Sequence, residues 1–429
     1  MSRFFKSYFS FLILSVVFAA SSLHASHNIA GDISVRCSGS NTYEVTVTTY
    51  QNTHSIVNPC SLTVNWGDGF TQVINRTNYP NPSGLCYSQG CAEGQLLDTL
   101  GYPYTRRSIY QGTHSYAGPS PPSGYRISVT DPNRIGGITN LVNSSNIPFY
   151  LQTVIFTDPQ GPCNSTPYLT TIPLDKACKG HCYYHNPGAV DPDGDSLSYS
   201  IGGCLDTTGQ PFPSAVYSLP NVIGGGTLAI DPVTGDLSWC SPQVAGIYNL
   251  AIFITEWKRY SNGNHAKLGI VERDMSITVL GNCSDQNPDI PPIADLCVDA
   301  GNLVNFSFVT TDTDAGDSVR VQAFGGPFNV TPAATISPNN ILSPAPLTTT
   351  FNWQTTCDRV RLQPWPVTFK ATDNDTVVAL TDIESMHITV VSPGPAFLTA
   401  TPSGSQMNLL WGQNPCDPLT NNCTGYKIF

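Results

Sequence analysis

From Tyr43 to Thr48 apolar and polar residues alternate, with Tyr43, Val45 and Val47 on one face and Glu44, Thr46 and Thr48 on the other. A period of two predicts a strand with one face in a core and one in water. The same alternation recurs in Tyr125, Ile127 and Val129, and again in Met275, Ile277 and Val279. From Tyr248 to Ile254 both faces are apolar, which predicts a central strand covered on both sides. The 36 Gly and 35 Pro interrupt the chain at short intervals and leave little room for long helices. The expected fold class is therefore all-β, built of tandem β-sandwich modules.

One apolar stretch follows a different rule. Arg3 and Lys6 precede an apolar run from Tyr8 to Ala20, and small residues follow up to Ala25. Residues 1–25 have the layout of a cleaved signal peptide, because the run is too short to span a bilayer core of about 30 Å. No other stretch is long and apolar enough for a membrane helix. The mature chain is expected to be secreted, extracellular or at the cell surface, without a transmembrane segment.

Three landmarks recur in the same order. Asp191-Pro-Asp-Gly-Asp195-Ser-Leu answers Asp312-Thr-Asp-Ala-Gly-Asp317-Ser-Val, Leu237-Ser-Trp239 answers Phe351-Asn-Trp353, and Met275-Ser-Ile-Thr-Val279 answers Met386-His-Ile-Thr-Val390. The spacings of 122, 114 and 111 residues fit two copies of a module of about a hundred residues. The copies are assigned to residues 165–281 and 282–392, joined by a Pro-rich junction from Asp285 to Pro292 that is expected to be stiff. Residues 26–164 form a separate N-terminal module. Residues 393–429 are too few for a sandwich and are expected to be the start of a truncated domain.

Charged residues make up only 11% of the chain, so solubility falls to Ser, Thr, Asn and Gln. A net charge of −11 argues against a nucleic-acid partner, which needs clustered Lys and Arg. Fourteen cysteines in an exported chain point to disulfides. The local candidates are Cys86 with Cys91, Cys178 with Cys182, Cys204 with Cys240, Cys297 with Cys357, and Cys416 with Cys423. Cys37, Cys60, Cys163 and Cys283 are left without an assigned partner.

These residues carry three resemblances. Trp66-Gly-Asp-Gly69 with His114-Ser-Tyr116 and the strand from Tyr125 to Val129 resembles a PKD-type immunoglobulin-like sandwich, here with a Cys-containing insertion around Cys86 and Cys91. The repeated module, with Asp191-Pro-Asp-Gly-Asp-Ser-Leu-Ser-Tyr199 and Ile230-Asp-Pro-Val-Thr-Gly-Asp-Leu-Ser-Trp239, resembles bacterial cadherin-like and Ig-type repeats. Leu409-Leu-Trp411 with Gly425-Tyr-Lys-Ile428 resembles the opening strands of a fibronectin type III domain. In combination the chain is similar to the large exported proteins of gliding bacteria that use type IX secretion and end in a gliding-motility-associated C-terminal sorting domain. That resemblance implies an adhesin-like surface protein whose partner is an unidentified surface protein or carbohydrate.

Asp191, Asp193 and Asp195 place three carboxylates within five residues, and like charges that close repel unless a cation intervenes. Calcium takes six to eight oxygen ligands, a demand several Asp side chains can meet. The cadherin-like resemblance implies Glu256, Asp285 and Asp289 as partners of this set. The second copy offers Asp312, Asp314 and Asp317 with Asp373 and Asp375. Against calcium stands a bland reading, since Asp-Pro-Asp-Gly is also a good tight turn. Cys178, His181, Cys182 and His185 have zinc-ligand chemistry, but their spacing is compressed and an exported protein more often oxidises such cysteines. Asp68 and His114 read as turn and packing residues rather than a catalytic pair.

No His-Glu-x-x-His, Gly-x-Ser-x-Gly or phosphate-binding glycine loop is present, so nothing specific suggests an enzyme. The expected function is a non-catalytic modular surface protein. The alternative is an accessory spacer or glycan-binding region of a larger secreted hydrolase with its catalytic domain beyond residue 429.

Overall fold

The computed structural model describes residues 28–412 and Cys416, apart from residues 56–57, 79–93, 99–101, 133, 159–160, 162, 261–263, 282, 315, 376–377, 395–396 and 413–415. The expected signal peptide, Cys86, Cys91 and Cys423 lie outside the described residues. The fold is all-β, and among the described residues the only α-helix is the single turn Pro220–Gly224. No helix among them is long and apolar enough to cross a membrane.

All three alternating segments are strands, but only Thr42–Asn52 has the expected single buried face: in Tyr125–Asp131 Tyr125 is half-buried and Ser128 buried, and in His265–Leu280 Asp274 and Ser276 are buried along with Met275 and Ile277, because that strand is covered on both sides. Tyr43, Val45 and Val47 of the strand Thr42–Asn52 pack with Trp66, Tyr110, Ile127 and Leu151 in the first core. In the strand Gly246–Arg259 the residues from Tyr248 to Ile252 are all buried, as a doubly covered strand requires.

The first unit closes on itself through a strand of the second. Its strands run in the order Asn28–Gly39, Thr42–Asn52, Thr105–Ser115, Thr71–Arg76, Ser61–Asn65, Tyr125–Asp131, Phe149–Ile155. The two ends of this series both pair with His265–Leu280, which takes Gly269 to Val271 against Phe149–Ile155 and Arg273 to Met275 against Asn28–Gly39. The segments assigned to separate modules at 164 and 165 thus share one sheet. They also share a core, since Ala30, Tyr50 and Leu97 pack with Trp239, Tyr248 and Met275. Two buried ion pairs cross the same seam. Arg134 makes a two-pronged contact with Asp274, and Arg273 donates to Asp32 Oδ2 (2.7 Å) and to the Thr171 carbonyl (2.7 Å).

The two repeats agree in register as well as in sequence. In the second unit Lys176–Cys178 runs parallel to the last strand with Ala177 opposite Val279, and in the third Leu296–Asp299 does the same with Val298 opposite Val390. The opposing sheets centre on Leu237–Cys240 and Leu347–Gln354, whose Trp239 and Trp353 are fully buried in their cores. The third unit is a two-sheet sandwich around Val321, Phe351, Phe369 and Ile388.

The junction from Asp285 to Pro292 is docked on the third unit. Asp289 and Thr311 exchange two backbone hydrogen bonds, Ile290 is buried in the third core, and its N–H donates to Asp382. Residues Leu398–Ser403 and Gln406–Trp411 form a two-stranded hairpin, and Cys416 is bonded to Cys357.

Most of the expected disulfides are corrected. Cys178 pairs with Cys283 rather than Cys182, Cys182 with Cys240 in place of Cys204, and Cys357 with Cys416 in place of Cys297 and Cys423. Cys37 pairs with Cys163, while Cys204 and Cys297 are free thiols. Strand register explains the exchange. Cys182 lies directly opposite Cys240 on adjacent strands, and Cys178 lies opposite Leu280, three residues before Cys283.

Candidate metal centres

Each repeat begins with an acidic cluster at the point where the chain enters it. In the second unit the loop from Asp191 to Asp195 folds so that Asp191 Oδ1 accepts the N–H groups of Asp193 (3.0 Å) and Asp195 (2.7 Å). The turn chemistry read from Asp-Pro-Asp-Gly is therefore present. It engages only one oxygen of Asp191, and Asp191 Oδ2 is buried without a hydrogen-bond partner among the described residues. Carboxylate oxygens of Asp191, Asp195 and Glu256 lie within 4.8 Å of one another. That is about the separation of two oxygens on opposite sides of an ion bound at roughly 2.4 Å.

The third unit repeats two backbone hydrogen bonds of this arrangement, although the carboxylate oxygens that converge there are those of Asp285, Asp314 and Asp317 rather than of the counterparts of Asp191, Asp195 and Glu256. The Ser165 N–H donates to Asp193 Oδ2 (2.6 Å), and the Gln286 N–H donates to Asp314 Oδ2 (2.7 Å). The Asp193 N–H donates to Asp191 Oδ1, and the Asp314 N–H to Asp312 Oδ1, both at 3.0 Å. Asn164 donates to Glu256, while Asp285 meets the carboxyls of Asp373 and Asp314. Strand register makes Glu256 and Asp373 counterparts, since each lies six residues beyond the residue opposite the repeated methionine, Leu250 against Met275 and Val367 against Met386.

Burial and crowding set the charge state of both clusters. Loss of water around Asp191 pushes its carboxyl up to about 7, with Asp195 and Asp193 adding repulsion. Burial raises Glu256 well above the usual carboxylate range, and Asp191 adds to it. In the second cluster burial lifts Asp285 to about 6 and Asp373 to about 8, and raises Asp312. The two clusters differ in their neighbours. Lys258 Nζ lies 3.3 Å from Asp158 and 3.9 Å from Asp195, so the first is partly neutralised from within. No Lys or Arg pairs with Asp285, Asp312, Asp314, Asp317 or Asp373 among the described residues, and Asp285, Asp314 and Asp317 also hold oxygens within 4.8 Å of one another.

The expected site residues are thus redistributed. Asp191, Asp195 and Glu256 come together, while Asp193 turns its Oδ2 to the Ser165 N–H. Asp285, expected beside them, belongs instead to the second cluster with Asp312, Asp314, Asp317 and Asp373. Asp375 sits at that cluster's edge, its N–H donating to Asp373 Oδ1 (3.0 Å). Asp289 joins neither, being exposed with its backbone bonded to Thr311. Asn164 and Asp158 were not anticipated. Asn164 was within reach of the repeat, since Asp285 follows it by the same 121 residues that separate Asp191 from Asp312.

The remaining motifs are structural. Cys178 and Cys182 are oxidised to different partners, so the four zinc-type ligands do not converge. Asp68 Oδ1 accepts the Phe70 N–H (3.0 Å) and Oδ2 contacts His114 Nε2 (2.8 Å), with the His114 ring stacked on Phe70. Gly67 is required there, because φ is +82° and a Cβ would lie 2.6 Å from the Arg126 nitrogen.

No protein-family model matches the chain, and no curated protein is similar to it. Among solved structures, the human protocadherin-24 EC1-2 pair is 14% identical over 54% of this chain and 100% of its own, with a TM-score of 0.19. The titin domains Z1Z2 in complex with telethonin are 11% identical over 53% of this chain and 98% of theirs, with a TM-score of 0.17. An endo-fucoidan hydrolase of glycoside hydrolase family 107 is 13% identical over 74% of this chain but only 39% of its own length, with a TM-score of 0.19. Superpositions this loose carry no functional inference, and the immunoglobulin-like sandwich is established by the strand pairing and the two-sheet cores.

Proposed function

We propose that the chain is a non-catalytic, modular surface protein of the adhesin-like kind, with calcium bound at the entrance of each repeat. The observation that carries the reading is the recurrence of an acidic cluster at the same place in both repeats, with two of its backbone hydrogen bonds in common. A turn needs its Asp acceptors but does not need further buried carboxylates brought from a distant strand and from the incoming chain. The second cluster is the stronger site, because its carboxylates have no internal cation to answer them. Export, attachment to a cell surface and a place among the proteins of gliding bacteria are supported by the sequence resemblance and by the disulfides, which persist in oxidising surroundings.

The test is thermal unfolding of the full chain in calcium and in chelator. Binding to the folded state alone adds about 2.7 kcal/mol when calcium is a hundredfold above Kd. For cooperative units of 150–250 residues this raises the midpoint by about 5–10 °C. Asp373→Asn should remove most of that response and Asp191→Asn a smaller part. A midpoint indifferent to chelator would reduce both clusters to turns.

A further inference from the structure

A second site lies where all three units meet. A cleft of about 430 Å³ opens between Tyr102 and Tyr104 of the first unit, Lys176 and Ser276 of the second, and Arg320 and Gln322 of the third. Its volume is that of a small-ligand pocket, and no one unit forms it alone. Asp175 on its wall holds Lys370 and accepts from the Tyr102 hydroxyl (3.1 Å).

Three features mark it as more than a packing gap. First, its buried polar atoms are unsatisfied: Arg320 Nε and Ser276 Oγ have no hydrogen-bond partner among the described residues, and Ser276 is 5% exposed. Buried donors are nearly always paired, so such atoms need an explanation. Second, it presents cations without a salt bridge. Asp175 is paired with Lys370, and although Asp375 adds a carboxylate to the wall, neither Lys176 nor Arg320 forms an ion pair among the described residues. Third, Tyr104 is held at φ +58°, with its N–H fixed on Asp98 (2.7 Å); the residue is 59% exposed, with its ring packed against His54. A left-handed conformation is costly for a bulky residue and persists where surroundings enforce it, commonly at ligand sites.

We infer that this cleft binds an acidic saccharide, with a sugar ring laid on the tyrosine face and its carboxylate or sulfate directed at Arg320. The aromatic wall supplies the apolar contact for a ring, the hydroxyl and amide of Ser276 and Gln322 suit sugar hydroxyls, and the guanidinium fork suits a planar or tetrahedral oxyanion. The inference goes beyond the calcium reading and does not depend on it.

The experiment is calorimetric titration of the full chain with four probes: hyaluronan hexasaccharide, a heparin-derived hexasaccharide, neutral maltohexaose and hexaglutamate. At least one of the two acidic sugars should bind: binding of hyaluronan shows that a carboxylate suffices, and binding of the heparin hexasaccharide alone shows that sulfate is required. Arg320→Gln should weaken it about tenfold or more, Arg320→Lys less, and Tyr104→Ala about fivefold, all with the melting midpoint retained. Repetition in chelator separates the two proposals, since sugar binding should persist, weakened by the bared carboxylates beside Asp375, where the calcium response is lost. Absence of binding by both acidic sugars, equal binding of maltohexaose or hexaglutamate, or unchanged binding by folded variants would overturn the inference.

Discussion

At the scale of single residues, burial makes the acidic clusters sensitive to pH in an unusual direction. Asp191 and Asp373 rise from an ordinary value of 3.8 to about 7 and about 8. The folded state therefore holds these protons more tightly than the unfolded chain. Their contribution is full below about pH 4 and is lost as pH rises through 7 and 8. Carboxyls held low by hydrogen bonds, such as Asp206 and Asp231, act oppositely but only as pH falls toward their own range. In chelator the melting midpoint should fall between pH 5 and pH 8, and saturating calcium should remove that fall by taking the place of the protons. A calcium effect of equal size at pH 5 and pH 8 would contradict this. The loop carboxylates were legible as a motif, whereas the grouping of Asp285 with Asp373 depends on strand register, which a linear motif does not encode.

At the scale of strands, legibility tracked periodicity. The segment with a period of two from Tyr43 to Val47 became a strand with the expected face inward, because one-sided burial leaves only one register that hides the apolar set. The disulfides were misread because nearness along the chain is a poor guide across a sheet. Cys178 and Cys182 are four residues apart yet lie on strands of different sheets, Lys176–Cys178 and Cys182–His185. The exchange leaves two thiols in contrasting settings. Cys297 is exposed on Leu296–Asp299, while Cys204 is buried and its thiol is pushed up to about 12, chiefly by burial. Maleimide should label Cys297 in the native protein and reach Cys204 only after denaturation, as peptide mapping would show. A cross-linked peptide joining Cys297 to Cys357 would instead restore the local pairing.

At the scale of the whole molecule, the sequence repeat was readable but the fusion of the first unit with the second was not. No periodicity announces that Asn28–Gly39 pairs with both Thr42–Asn52 and His265–Leu280. Its contribution is chemical as well as geometric, since removing Asp32 would leave Arg273 buried without its carboxylate, a defect of about 3–5 kcal/mol. Deleting residues 28–52 should accordingly abolish the cooperative transition of the second unit in calorimetry while the third still melts. A fragment of residues 165–392 that melted as sharply as the full chain would show that the seam is dispensable.

The long reach of that first strand also fixes a waiting time. Asp32 and Arg273 are 241 residues apart, and at about 5–20 residues per second the ribosome needs about 12–50 s to deliver the second after the first. Throughout that interval one edge of Asn28–Gly39 has no strand to receive it and the apolar surface of Ala30 has no core to enter. Such an edge is a template for pairing with other chains, so a nascent copy has to be kept apart from its neighbours until the last strand of the second unit has been made.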